Sequence, residues 1–107
     1  MPGLPAQGYR LIITPAHVRI EASAAAGAFY GRMTLRQLAR LCPEAIPCGT
    51  IEDAPDILLR GVLLDISRDK VPTLETLLLL VEMLAEWKVN HLTLYICLLY
   101  TSDAADE

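Results

Sequence analysis

The nine residues Arg60-Gly61-Val62-Leu63-Leu64-Asp65-Ile66-Ser67-Arg68 constrain this chain more than any other stretch. Their centre is apolar without the alternation of a half-exposed strand, so a strand here needs cover on both faces, as parallel strands have. The residues downstream fit that requirement. Pro72-Thr73 opens a leucine-rich segment with apolar residues at three- and four-residue steps, and Leu92-Thr93-Leu94-Tyr95-Ile96 supplies a second β-rich run. Strand, helix and strand in that order make a βαβ unit with the helix as crossover. In α/β sheets ligands are met at the carboxyl ends of the strands. Ser67 and Arg68 stand at that end.

The crossover helix is expected to start at Thr73, with Glu75 placing negative charge near its positive end. Leu74, Leu77, Leu78, Val81, Leu84 and Ala85 would cover the sheet, with Leu79, Leu80 and Met83 widening the stripe. Glu82, Glu86 and Lys88 mark the wet side, and Trp87 reads as a packing residue rather than a ligand platform.

Composition excludes several classes. At 107 residues the chain is too short for a complete α/β barrel of roughly 250. A hydrophobic content of 53% with 21% charged residues argues against disorder. A net charge of −4 and the lack of any Lys/Arg run give no basic field for nucleic acid. Residues 74–87 are interrupted by Glu75, Glu82 and Glu86 and fall short of the ~20 apolar residues of a membrane span. Met1 is followed by Pro2, Gly3 and Pro5 rather than by a basic region and an apolar core. No secretory signal is therefore visible, and the chain as given is expected in the cytoplasm. Cys42, Cys48 and Cys97 lack paired metal-ligand spacing and read as small, partly buried hydrophobes. His17 reads as a turn residue and His91 as the entrance to a strand, so no metal site and no cofactor are implied.

The first half has a different grammar. Tyr9-Arg10-Leu11-Ile12-Ile13 and Val18-Arg19-Ile20-Glu21, separated by Thr14-Pro15-Ala16-His17, predict an antiparallel hairpin with a loop longer than two residues. Leu11, Ile13, Val18 and Ile20 would share its buried face. A helix is predicted over residues 25–41, capped by Ser23 and ended by Cys42-Pro43. Ala26, Tyr30, Met33, Leu38 and Leu41 form its apolar stripe, and Arg32, Arg36 and Arg40 a solvated row. Gly27 and Gly31 cost a soluble helix stability, so close packing against a strand or another backbone is expected there. Residues 46–55 mix prolines and a glycine with a short β-rich piece and form a seam.

These motifs together resemble glycoside hydrolase family 20, the β-N-acetylhexosaminidases. Arg60-Gly61 through Arg68, with Lys88-Val89-Asn90, is similar to the opening of the family's catalytic barrel. Gly8-Tyr9-Arg10-Leu11-Ile12-Ile13, Val18-Arg19-Ile20-Glu21-Ala22, Gly27-Ala28-Phe29-Tyr30-Gly31 and Thr34-Leu35-Arg36-Gln37-Leu38 resemble the small α+β domain that precedes it. Ile51-x-Asp53-x-Pro55 followed by Arg60-Gly61 is similar to the family's domain junction. Met33 stands where the family commonly has Gln, and Asp69 where it often has His.

The resemblance implies an α/β (α+β) chain: a small antiparallel sheet with a helix, then the first βαβ unit of an incomplete TIM (β/α)8 barrel. The expected domains are 1–54, a partial small domain, and 55–96, a truncated barrel start. Residues 97–107 resemble the translation of a sequencing-library transposon adapter, as seen at the ends of bacterial metagenomic reading frames, and are expected to be a non-native tail; a frayed natural terminus is the alternative.

For function, the resemblance implies an N-terminal fragment of a hydrolase that removes terminal β-linked N-acetylhexosamine by substrate-assisted, retaining hydrolysis. Arg68 would bind sugar hydroxyls, with Asp65 and Ser67 supporting it; a surface ion pair with Asp65 or Asp69 is the plainer reading of that arginine. No catalytic residue is expected within the chain. No adjacent Asp-Glu pair precedes Asp106-Glu107, and Glu52-Asp53 has the reverse order. The implied partner is a carbohydrate ending in N-acetylhexosamine, with neither nucleic acid nor membrane involved. A barrel glycosidase of another family and a non-catalytic α+β carbohydrate-binding or interaction module are the alternatives.

Overall fold

The computed structural model describes residues 3–68 and 71–96, so Asp69, Cys97 and the expected tail at 97–107 lie outside the described residues. The chain divides into two units, Met1–Leu58 and Leu59–Glu107.

In the first unit, β1 (Tyr9–Ile13) lies between β2 (Val18–Ala22) and β3 (Gly49–Asp53), antiparallel to both. The predicted hairpin is present, and its four-residue turn is closed by Thr14 N–H and Oγ1 donating to the His17 carbonyl at 2.9 and 3.0 Å. The seam's β-rich piece is a full third strand. Alternation along β1 sorts the sheet: Tyr9, Leu11 and Ile13 are buried, whereas Arg10 faces outward between its register partners Glu21 and Glu52. Arg10 reaches Glu52 at 2.9 Å and Glu21 at 3.1 Å. On such an exposed face these pairs add register specificity more than stability.

The helix α1 (Ala25–Leu41) covers the buried face. Ser23 does not cap it. The cap position is Ala24, without a side-chain bond, and Ser23 Oγ donates instead to the Pro5 carbonyl at 3.2 Å. The buried side is Gly27, Tyr30, Gly31 and Met33, continued by Leu35 and Leu38 packed against the core. Leu41, expected on that stripe, is 78% exposed because it falls in the last turn. Arg32 is exposed, as are Arg36 and Arg40 to differing degrees, in keeping with a solvated row.

Gly27 and Gly31 are where helix meets sheet. A Cβ on Gly27 would run into the Gly8 carbonyl, and one on Gly31 would sit 2.8 Å from Ile20 Cγ2. Tyr9 completes the joint: its phenol contacts Thr34 Oγ1 on α1 at 2.5 Å and donates to Asp53 Oδ2 on β3 at 3.4 Å. Burial pushes the Tyr9 phenol up from its ordinary pKa.

In the second unit, β4 (Gly61–Asp65) and β5 (His91–Tyr95) are parallel, in register from Gly61↔His91 to Asp65↔Tyr95, and α2 (Leu74–Glu86) connects them. Thr73 caps α2, its Oγ1 accepting from Thr76 N–H at 3.1 Å. Leu84 is buried and Leu77, Leu80 and Ala85 half-buried, while Leu74, Leu78 and Val81 stay exposed. A single pair of strands covers only part of the broad leucine stripe. For the same reason β4 is not enclosed: Leu63 is 68% exposed. Glu86, expected on the wet side, is buried, and Trp87, expected to pack, is exposed.

The carboxyl end of α2 is a double-bonded turn. Val89 N–H donates to the Leu84 carbonyl at 2.9 Å and Lys88 N–H to the Ala85 carbonyl at 3.0 Å, with Lys88 at φ 64°. This is a Schellman arrangement with lysine where glycine is favoured. The chain then clasps the start of β4. Asn90 Oδ1 accepts from Arg60 N–H at 2.8 Å, Asn90 N–H donates to the Arg60 carbonyl at 3.0 Å, and Arg60 Nε donates to the Lys88 carbonyl at 2.8 Å.

Two substitutions probe these joints. Gly27→Ala should destabilise by about 1–3 kcal/mol in urea unfolding, despite alanine's better helix propensity, because the obstacle is backbone. Lys88→Gly should stabilise by about 0.5–1 kcal/mol in the same assay, since the left-handed position then carries no Cβ.

Candidate functional site

The residues that the sequence singles out meet at the carboxyl end of β4. Ile66 N–H donates to the Tyr95 carbonyl at 3.1 Å, carrying the parallel ladder one step past Asp65. There the chain turns. Asp65 Oδ1 accepts from both donors of Ser67, the amide at 2.9 Å and the hydroxyl at 2.8 Å. An aspartate that bonds the backbone two residues on is a local turn former, which is why a strand ends on Asp here. Ser67 is only 2% exposed, among the most buried side chains of the chain.

The other carboxylate oxygen faces Arg68. Asp65 Oδ2 lies 3.5 Å from Arg68 Nε, and the arginine side chain is 69% exposed. Among the described residues, Asp65 is the arginine's one ion-pair partner. Its contact runs through Nε, and a guanidinium has further donors on its two terminal nitrogens. The arrangement is thus an anion-anchored guanidinium at a strand tip, suited to binding adjacent oxygens.

Electrostatics agree with the geometry. The Asp65 carboxyl is held below the usual aspartate range, first by the Ser67 amide bond, then by the Ser67 hydroxyl and the Arg68 charge, against an opposing desolvation. The sequence expects Asp65 as a hydrogen-bond acceptor on a buried strand; it is an acceptor, but its side chain is 37% exposed because the strand tip is open.

The Arg60–Lys88–Asn90 clasp lies at the opposite, amino end of the strands. A cavity of about 200 Å³ lined by Val81, Leu84, Ala85, Val89, Asn90, His91 and Leu92 sits at that end too. The Tyr9–Thr34–Asp53 joint belongs to the first unit and ties elements together. Tyr9, Thr34 and Asp53 all fall in motifs that the sequence marked, but no local rule predicts that they meet.

Residues 2–54 match glycosyl hydrolase family 20, domain 2. Over 99 residues the chain is 37% identical to a β-hexosaminidase of Akkermansia muciniphila, covering 90% of this chain and 20% of that one. A crystal structure of a β-N-acetylhexosaminidase matches with a TM-score of 0.78 at 38% identity, over 88% of this chain and 20% of that one. A mutant Streptomyces plicatus β-hexosaminidase in complex with its product GlcNAc matches with a TM-score of 0.71 at 38% identity, over 82% and 19%. The chain spans about a fifth of the length of two of the curated relatives it matches and 8% of a third. It belongs to glycoside hydrolase family 20.

The lowered Asp65 pKa has a definite sign. A carboxyl held below its unfolded value contributes stability above the ordinary aspartate range and loses it as pH falls through the folded pKa. Titration of the Asp65 carboxyl carbon by NMR should give a midpoint below that of an unstructured aspartate, and Ser67→Ala should move it upward.

Proposed function

We propose that this chain is a segment of a β-N-acetylhexosaminidase: residues 1–54 form part of the small α+β domain and 55–96 the start of a (β/α)8 catalytic barrel. In the whole enzyme, Arg68 binds hydroxyls of the terminal N-acetylhexosamine, and Asp65 and Ser67 support it. The observation that carries this reading is the parallel βαβ unit with an exposed, anchored guanidinium at the carboxyl end of β4. Barrel enzymes bind substrate at that end. The similarity to a Streptomyces plicatus enzyme in complex with GlcNAc supports the substrate class.

The reaction is hydrolysis assisted by the substrate, whose 2-acetamido oxygen attacks the anomeric carbon while a carboxylic acid protonates the leaving oxygen. The carboxylate that orients the amide and the general acid lie outside these 107 residues. Arg68 contributes positioning: its fixed donors hold the ring at the reaction centre.

Two outcomes test this. The 107-residue chain should not hydrolyse a chromogenic N-acetylglucosaminide, since it lacks the general acid; turnover that survives repeated purification contradicts it. In the full-length enzyme, Arg68→Lys should lower kcat/KM by roughly 30- to 1,000-fold although charge is kept, because one ammonium cannot reproduce the fork. Arg36→Lys, on α1, should change it little. Equal effects of the two would make Arg68 an ordinary surface ion-pair residue.

A further inference from the structure

Ser67 combines features that a surface loop residue does not need. It is almost wholly buried, and both its donors converge on one carboxylate oxygen, Asp65 Oδ1, at 2.9 and 2.8 Å. A carboxylate held through a single oxygen by two donors from one residue cannot swing about its Cβ–Cγ bond without losing both. The second oxygen, Oδ2, is thereby aimed, and it points at Arg68 Nε at 3.5 Å. Nε is the guanidinium nitrogen on the chain side. The contact is an ion pair through Nε, so the position of Oδ2 biases where the guanidinium sits at the strand tip.

We propose that Ser67 is the positioning residue of this site: by holding the Asp65 carboxylate it places Oδ2 beside the Arg68 guanidinium and so tunes that group's fit to two adjacent hydroxyls of the bound sugar. The proposal rests on the reading of Arg68 as a sugar-binding residue. Ser67 itself touches no substrate. Its hydroxyl and amide both face Asp65, and the ion pair stands between them and the ligand. Asp65→Asn provides an independent probe. Asparagine can keep an oxygen for the two Ser67 donors but presents an amide N–H2 to Arg68 Nε, which is itself a donor. The lock remains while its transmission to the arginine is cut.

The test is a set of double-mutant cycles in the full-length enzyme, with kcat and KM measured on a chromogenic N-acetylglucosaminide and melting temperature alongside. Ser67→Ala should raise KM about 10-fold with a smaller change in kcat, as removing a preorganising charge-assisted bond does. Ser67→Thr, which retains both donors, should recover most of the loss. Asp65→Asn should reproduce the Ser67→Ala effect with the Ser67 bonds intact. In the Arg68→Lys background, Ser67→Ala and Asp65→Asn should each add less than about 2-fold, because both act through the arginine fork. Full additivity of either variant with Arg68→Lys overturns the proposal, as does a Ser67→Ala effect confined to melting temperature. If Ser67→Ala does not fold, Asp65→Asn and its cycle decide alone. If Arg68→Lys has no effect by itself, the sugar-binding reading fails and this proposal with it; an Arg68→Lys defect with additive Ser67→Ala sinks only the proposal.

Discussion

Parallel pairing of β4 with β5 is the constraint on which the second unit depends. Two strands that run the same way cannot be joined by a tight turn, so the chain must cross over, and α2 is that crossover. The pairing also gives the unit two unlike ends. At the amino end the chain returns from the helix and must be locked in register, which the Schellman turn at Lys88 and the Arg60–Asn90 clasp accomplish. At the carboxyl end the ladder runs out with the Ile66 N–H bond to the Tyr95 carbonyl, and the side chains there are free of ladder duties. Asp65, Ser67 and Arg68 occupy that end. The residues that hold the unit and those proposed to meet a ligand are therefore kept apart by the direction of the strands.

The first unit rests on a different device, the alternation of β1. As the central strand it must satisfy two neighbours and one helix at once. Its odd-numbered residues supply the core, and its even-numbered Arg10 serves both flanking strands. Helix and sheet approach so closely at Gly27 that no side chain fits, and Tyr9 reaches across to bond α1 and β3 together. Asp53 thus has a structural reason to stand at the domain seam: it accepts from the Tyr9 phenol and, through its other oxygen, from the Ala54 amide at 2.9 Å.

Local pattern revealed what depends on local physics. The hairpin strands, the span of α1, its end at Cys42-Pro43 and the parallel βαβ order were all legible, because periodicity and proline act within a few residues. The third strand, β3, was visible only as a β-rich piece, since its partner β1 lies far upstream and no short-range rule connects them. Burial was the least legible quantity. Leu63, Leu74 and Leu78 are exposed although they belong to apolar runs, and Leu41 is apolar at an exposed helix end. At the site, the motif marked Asp65, Ser67 and Arg68 by resemblance. Their division of labour, with two Ser67 donors on one oxygen and the arginine on the other, required coordinates, because sequence does not say which oxygen faces which donor.

The central claim is that Arg68 meets the terminal sugar at the tip of β4. A crystal structure of the full-length enzyme with N-acetylglucosamine bound tests it most directly. The account predicts the two terminal nitrogens of Arg68 at about 2.7–3.1 Å from adjacent sugar hydroxyls, with Asp65 Oδ2 still on Nε. A sugar seated in the enzyme's pocket with no Arg68 nitrogen within hydrogen-bond distance would contradict it.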